Sequence, residues 1–175
     1  IIGVKSIKEY QLIFYDTPGL NFIKNIKTKN VKLKRNLWEG LNNADVILYL
    51  IDSTSYSSKE IITNLNKLNE LDKKIIIVFN KKDLINSVSI LPKIKELESL
   101  IDVDSYFNIS AKKNVGIDLI INYLLKKSYF SKWMFDENEI TNKNDIFATN
   151  ECTRNAILTE LHKEIPYNIK VENKT

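Results

Sequence analysis

Apolar residues along the chain fall into short continuous runs that alternate with stretches of helical spacing. Ile1–Val4 and Tyr10–Tyr15 read as strands joined by a polar turn around Ser6–Glu9. Leu33, Leu37, Trp38 and Leu41 recur at helical intervals, and Val46–Ile51 then forms a run apolar enough for a strand buried on both faces. Ile61, Ile62, Leu65 and Leu68 predict another amphipathic helix, and Ile75–Phe79 another buried strand. Ile90–Leu100 predicts a third helix, Tyr106–Ile109 a strand, and Ile117, Ile120, Ile121, Leu124 and Leu125 a fourth helix. This alternation predicts an α/β fold with a doubly wound, mostly parallel sheet, because right-handed crossovers place helices on both of its faces.

The pattern changes after Lys127. Ser128–Asn150 is polar and acidic, shows no clear period and carries Tyr129, Phe130, Trp133, Phe135 and Phe147, as expected of a linker pinned by its aromatics. Glu151–Lys163 turns helical again with Ile157, Leu158 and Leu161 on one face, Pro166 stops that helix, and Tyr167–Glu172 reads as a strand.

Composition narrows the class. The 175 residues suffice for one domain and the start of a second. A single cysteine, Cys152, excludes an internal disulfide framework and a cysteine-rich zinc site, and reads as a packing residue. No apolar run approaches the roughly 18 residues of a membrane span. The first residues already read as a strand, so the start looks cut and a targeting segment is not visible. The net charge of +4, from 26 basic against 22 acidic residues, does not alone imply nucleic acid. Lys, Asn and Ile dominate while Gly and Pro are scarce, a bias toward AT-rich codons that lowers the value of each Asn as a turn signal.

Three polar motifs follow strands, where an open parallel sheet binds its ligand. Asp16-Thr17-Pro18-Gly19 follows the strand Tyr10–Tyr15. Its carboxylate suits a magnesium ion held through water beside a triphosphate, and its glycine suits close approach of a backbone N–H to a phosphate. The same four residues also read as a Pro-Gly turn with a capping acid. Asn80-Lys81-Lys82-Asp83 follows Ile75–Phe79. One carboxylate can accept the adjacent N1–H and 2-amino protons of guanine, which adenine lacks, so Asp83 is a candidate for base selection. Lys81 can lay its stem over the base and Asn80 can tie neighbouring loops; a plain strand-to-helix turn is the other reading. Ser110-Ala111-Lys112, followed by Gly116, offers a small residue whose N–H can reach a base oxygen, with Ser110 bracing the loop.

In this order the motifs resemble those of a translation-factor-class GTPase of the P-loop superfamily. The tail narrows the resemblance to the Era family, in which a GTPase domain precedes an RNA-binding KH domain. Trp133…Ile140-Thr141…Phe147…Glu151…Arg154…Glu164-Ile165-Pro166-Tyr167 resembles that family's junction. The resemblance implies a P-loop-NTPase-like GTPase domain over 1–127 lacking its P-loop portion, a linker over 128–150, and the start of a KH-like domain over 151–175. It implies GTP or GDP with Mg²⁺ as ligands. Asp16 would stand near the metal, Gly19 on the terminal phosphate, Thr17 and Pro18 beside them, and Asn80, Lys81, Asp83, Ser110, Ala111 and Lys112 around guanine. It further implies a monomeric intracellular switch, in a cytoplasm or an organelle matrix, that binds the 3′ region of small-subunit ribosomal RNA and assists assembly of the small subunit. No residue here encodes the membrane association that the resemblance allows.

The chain departs from the family pattern in several places. No Gly-x-x-x-x-Gly-Lys-[Ser/Thr] occurs; the glycines are Gly3, Gly19, Gly40 and Gly116. A fragment is the expected explanation, and a non-hydrolysing assembly scaffold with a degenerate GTPase domain is the alternative. The Gly-x-x-Gly loop of a KH domain is also missing, so no RNA-binding residue is assigned. Asn142 stands where an Asp is usual, and Thr153 precedes Arg154. Leu20 occupies the place of a water-orienting glutamine, so the catalytic residue is not visible. The run Lys24, Lys27, Lys29, Lys32, Lys34 and Arg35 reads as a solvated loop ahead of an RNA contact. His162 lacks any companion for catalysis, and Asp52 reads as the cap of the turn after its strand.

Overall fold

The computed structural model describes residues 1–20, 31–160 and 171. They form two compact units, Thr17–Ser131 and a second made of Ile1–Asp16 with the chain from Lys132 onward.

Thr17–Ser131 is built on three parallel strands: β3 (Val46–Asp52), β4 (Lys74–Asn80) and β5 (Ser105–Asn108), in that spatial order. β4 lies in the middle. Its residues Ile75 to Phe79 are all at most 2% exposed, as a strand covered on both faces requires. Side chains alternate between two cores. Ile75, Ile77 and Phe79 join Leu37 and Leu41 of helix α1 (Val31–Asn43), Ile61, Leu65 and Leu68 of α2 (Ser58–Asn69), and Leu97 of α3 (Leu91–Glu98). Ile76 and Val78 face the other way, against Ile109 and Ile120, the latter on α4 (Ile117–Lys127). Helices thus cover both faces, as the alternation of the sequence predicts.

The burial expected of Val46–Ile51 does not hold throughout. Ile47 and Ile51 are buried, but Leu50 is 60% exposed. β3 is an edge of the three-stranded sheet, and the second core takes in Val46 and Leu48 but not Leu50. On α2 the face buried at i, i+3, i+4 and i+7 includes a polar residue, Asn64, whose Nδ2 donates to the Tyr49 hydroxyl at 3.1 Å. A buried amide is tolerated where it finds such partners. The expected third helix divides into a short 3₁₀ turn, Ser87–Ile90, capped by Asn86, and α3 with Pro92 in its first turn.

The other unit holds the antiparallel hairpin β1 (Ile2–Ile7) and β2 (Tyr10–Tyr15). β1 runs three residues past the expected Val4. The turn shrinks to Lys8-Glu9, with Lys8 at φ 51°. The segment after Lys132 lies along this hairpin rather than hanging as a free linker. The Gln11 side chain accepts from the Met134 and Phe135 N–H groups at 3.0 and 3.1 Å and donates to the Phe135 carbonyl at 2.9 Å. Trp133 Nε1 donates to the Glu9 carbonyl at 3.2 Å, and Val4 N–H to the Ile140 carbonyl at 2.9 Å.

α5 (Asp145–Glu160) begins six residues earlier than the expected Glu151. Asn144 starts it, its Oδ1 accepting from Phe147 N–H at 3.0 Å. Cys152, expected to pack, is exposed on this helix. Arg154 pairs with Glu151 at 2.6 Å. The expected stop at Pro166, the strand Tyr167–Glu172, the Glu164–Tyr167 junction and His162 fall on residues 161–175, of which only 171 is described.

Leu65 is fully buried and Leu119, on α4, is 57% exposed. Leu65→Ala is expected to lower the unfolding free energy by about 2–5 kcal/mol. Leu119→Ala should stay within about 0.5 kcal/mol of wild type. Urea unfolding of the two variants checks the contrast.

Candidate functional site

The polar residues that follow β4 and β5 form one hydrogen-bonded block. β4 and β5 run parallel with Phe79 opposite Asn108, so both chains leave the sheet at the same end. Lys82 N–H donates to the Ile109 carbonyl at 2.9 Å, joining the two loops through their backbones. The Asn80 side chain adds a second link, its Oδ1 accepting from Lys81 N–H at 2.8 Å and from Ala111 N–H at 2.9 Å. A third is the Ser110 hydroxyl, which donates to Asp83 Oδ1 at 2.5 Å and accepts from Lys113 N–H at 3.1 Å.

These contacts set the electrostatics. The Ser110 hydroxyl, helped by the Asp83 backbone and by Lys113 and Lys112 nearby, holds the Asp83 carboxyl below its ordinary range despite some desolvation. Asp83 is therefore ionised at neutral pH and acts only as an acceptor. It is exposed, as is Lys112.

The backbone is strained at one residue and relieved at another. Lys81 adopts the left-handed conformation, φ 67° and ψ 35°, which a side chain other than glycine rarely takes. Gly116, at φ 80°, precedes α4, and the loop before it closes through Ser110–Val115 hydrogen bonds of 3.0 Å in both directions. A Cβ there would lie 3.2 Å from both the Asn108 carbonyl oxygen and Ile109 Cγ2. The loop needs glycine at this point.

Lys81 reaches further than expected. Its Nζ lies 2.6 Å from Oδ2 of Asp52, the last residue of β3, which stands opposite Asn80 in the parallel register. The other oxygen of Asp52 accepts from Thr54 N–H at 2.9 Å and from the Thr54 hydroxyl at 2.7 Å. Asp52 thus caps its turn, as expected, and also pairs with a lysine of the site. The ammonium of Lys81 and the two bonds from Thr54 lower its carboxyl to about 2. The sequence offers one clue to this pair: both residues stand at the ends of consecutive strands, and sequential strands are usually spatial neighbours.

Among the described residues, Thr17–Gly19 makes none of the hydrogen bonds of this block. Asp16 ends one unit and is exposed; Thr17 opens the other. Among the described residues, apart from its chain neighbours, nothing lies within 4 Å of where a Gly19 Cβ would stand, and Leu20 packs against the core that contains Leu37 and Phe79. Ala111 N–H, expected to face a base oxygen, is engaged by Asn80. Of the basic run, Lys24, Lys27 and Lys29 lie outside the described residues, and Arg35 pairs with Glu39 at 2.6 Å.

Comparison with known proteins places this arrangement. Residues 1–81 match the family described as 50S ribosome-binding GTPase. GTPase Era of Ehrlichia canis (strain Jake) is 32% identical over 170 residues, 97% of this chain and 56% of that protein. A crystal structure of Era with MgGDPNP and nucleotides 1506–1542 of 16S ribosomal RNA superposes with a TM-score of 0.74 at 31% identity, covering 87% of this chain and 52% of that one. Along nearly its whole length the chain is similar to Era GTPases. A crystal structure of an Aquifex aeolicus Era variant bound to GDP.AlF4- gives a TM-score of 0.73 at 31% identity, over 87% of this chain and 52% of that one. The chain spans about half the length of the curated Era relatives it matches.

Two measurements test the geometry. Asp52 is lowered from 3.8 to about 2, so its pairing stabilises the fold above roughly pH 4 and is lost as pH falls through about 2. Carboxyl-carbon NMR should show Asp52 titrating near 2 in wild type and closer to 3.8 in Lys81→Met. Gly116→Ala should cost about 1–3 kcal/mol in urea unfolding. It should also speed hydrogen exchange at the Val115 amide, which bonds to Ser110.

Proposed function

We propose that this chain contributes the guanine-reading part of a GTP-binding, GTP-hydrolysing switch. The observation that carries the reading is the block formed by Asn80, Lys81, Asp83, Ser110 and Ala111 at the ends of two parallel strands, with an ionised, exposed Asp83 at its rim. A carboxylate oriented by a serine hydroxyl is a strong acceptor pair for the N1–H and 2-amino group of guanine. Adenine offers neither proton there, and a site built to accept them rejects it by orders of magnitude. Donation to the base oxygen falls to Ala111 N–H, which would share or exchange its bond to Asn80. Lys81 supplies an apolar stem against the face of the base, and Lys112 adds positive charge at the loop.

For Mg²⁺ the donor set is sparse. Among the described residues no three His, Cys, Asp or Glu side chains are grouped to hold a metal. Magnesium beside a triphosphate keeps several waters and needs only a carboxylate or two together with substrate phosphates. Asp16, exposed at the end of its strand, would hold it through water, with Thr17, Pro18 and Gly19 beside the phosphates. When bound, the ion neutralises charge on the phosphates.

The domain assignment follows the family: 1–127 belongs to the GTPase domain, 128–150 connects, and 151–175 opens a KH-like RNA-binding domain. The partner is small-subunit ribosomal RNA in the assembling small subunit, a reading supported by the 16S ribosomal RNA bound in the Era structure. The protein acts as a monomer inside the cell, in a cytoplasm or an organelle; a chloroplastic GTPase ERA-like relative of Arabidopsis thaliana is 31% identical over 175 residues, 98% of this chain and 40% of that protein. No helix among the described residues is long and apolar enough to cross a membrane.

Titration of the full-length protein with a fluorescent GTP analogue and Mg²⁺, with ATP and XTP as competitors, tests the base assignment; residues 1–175 alone, without a P-loop, are expected to bind nucleotide poorly. GTP should bind and ATP should fail to compete. Asp83→Asn should weaken GTP by at least about tenfold and shift preference toward XTP, whose C2 oxygen accepts where guanine donates. A protein that ignores GTP, or an Asp83→Asn variant with unchanged preference, refutes the assignment.

A further inference from the structure

The Lys81 side chain is restrained at both ends. At the backbone end its N–H is held by Asn80 Oδ1 at 2.8 Å, its carbonyl accepts from Leu84 N–H at 2.9 Å, and its left-handed backbone fixes where Cβ points. At the far end the ammonium meets Asp52 Oδ2 at 2.6 Å. Asp52 is itself immobilised. Thr54 holds its other oxygen twice, Ser55 N–H donates to its carbonyl at 3.2 Å, and the next residue, Ser53, is tied to β4 by its N–H on the Asn80 carbonyl at 3.1 Å. Lys93 Nζ, from α3, donates to the Ser53 carbonyl at 3.1 Å.

The pair is half open to solvent, with the lysine side chain 48% and the aspartate 35% exposed. Such pairs add little to stability. What this one does is stretch a four-carbon stem between two fixed points. A free lysine samples many rotamers and loses that freedom when it covers a ligand; a lysine already extended has less to lose.

We propose that Asp52 is a positioning residue for nucleotide binding, which holds Lys81 extended so that its stem forms a preformed surface for the purine ring. The proposal rests on the guanine assignment of the preceding subsection. Asp52 touches no part of the base in this scheme; it acts only through the ammonium of Lys81.

A double-mutant cycle on the GDP affinity of the full-length protein, read with a fluorescent GDP analogue and Mg²⁺, tests it. Asp52→Asn keeps the shape and the Thr54 contacts but loses the charge. Lys81→Met keeps an apolar stem but loses the ammonium. Each alone is expected to weaken GDP by about three- to tenfold, and the double variant by no more than the more damaging of the two, because both remove one interaction. Asp52→Glu should recover most of the loss. Additive effects of Asp52→Asn and Lys81→Met would mean that Asp52 acts through the fold and not through Lys81, and the proposal would fall. Unchanged affinity in Asp52→Asn would overturn it too. If wild type binds no GDP, the guanine assignment fails first and this proposal with it; binding without coupling defeats the proposal alone.

Discussion

Strand β4 is covered on both faces, and that burial decides where polar chemistry can stand. Five consecutive apolar residues, Ile75–Phe79, leave no place along that stretch for a charge. The first polar side chain after it is Asn80, at the point where the chain leaves both cores. β3 and β5 lie beside β4 in parallel register, so Asp52 and the Ile109–Ser110 turn arrive at the same level. Carboxylate, amide and hydroxyl groups far apart in the chain thus meet just past the buried stretch of β4, from which hydrophobic burial excludes them.

The meeting is held by neutral and charge-assisted hydrogen bonds of different kinds. Asn80 uses one oxygen to gather two backbone N–H groups from two loops, so its contribution is spatial order. Ser110 directs its single proton to Asp83 and so selects the charged form of that acid. Asp52 turns one oxygen to its own turn and the other to Lys81. None of these contacts depends on a residue outside Thr17–Ser131.

Much of this is legible in the sequence, and the departures have physical causes. Continuous apolar runs identify β3 and β4, and helical spacing identifies α2 and α4, because these elements bury a face against a single core. Leu50 departs because a run of apolar letters carries no information about which strand becomes an edge. β1 extends to Ile7 because a half-buried hairpin strand accepts Lys5 and Ser6, which a count of apolar residues rejects. The start of α5 is hidden for a different reason: in a chain rich in asparagine, the capping role of Asn144 is indistinguishable by composition from its neighbours. At the site, Asn80, Lys81, Asp83, Ser110 and Ala111 stand out because motif spacing records local geometry. The second role of Asp52 does not, because its partner lies 29 positions away and the sequence hints at the pair only through the ends of consecutive strands.

The left-handed backbone of Lys81 sets two kinds of selection against each other. An ordinary L-residue in that conformation carries roughly 1–2 kcal/mol of steric cost, which glycine would remove. Glycine, however, has neither a stem to cover a ring nor an ammonium for Asp52. A search for more stable variants would therefore drift toward glycine at this position and discard the side chain that the surrounding loops are arranged to present. Stability-guided engineering of this chain should hold position 81 fixed, because there the most comfortable backbone and the side chain that pairs with Asp52 belong to different amino acids.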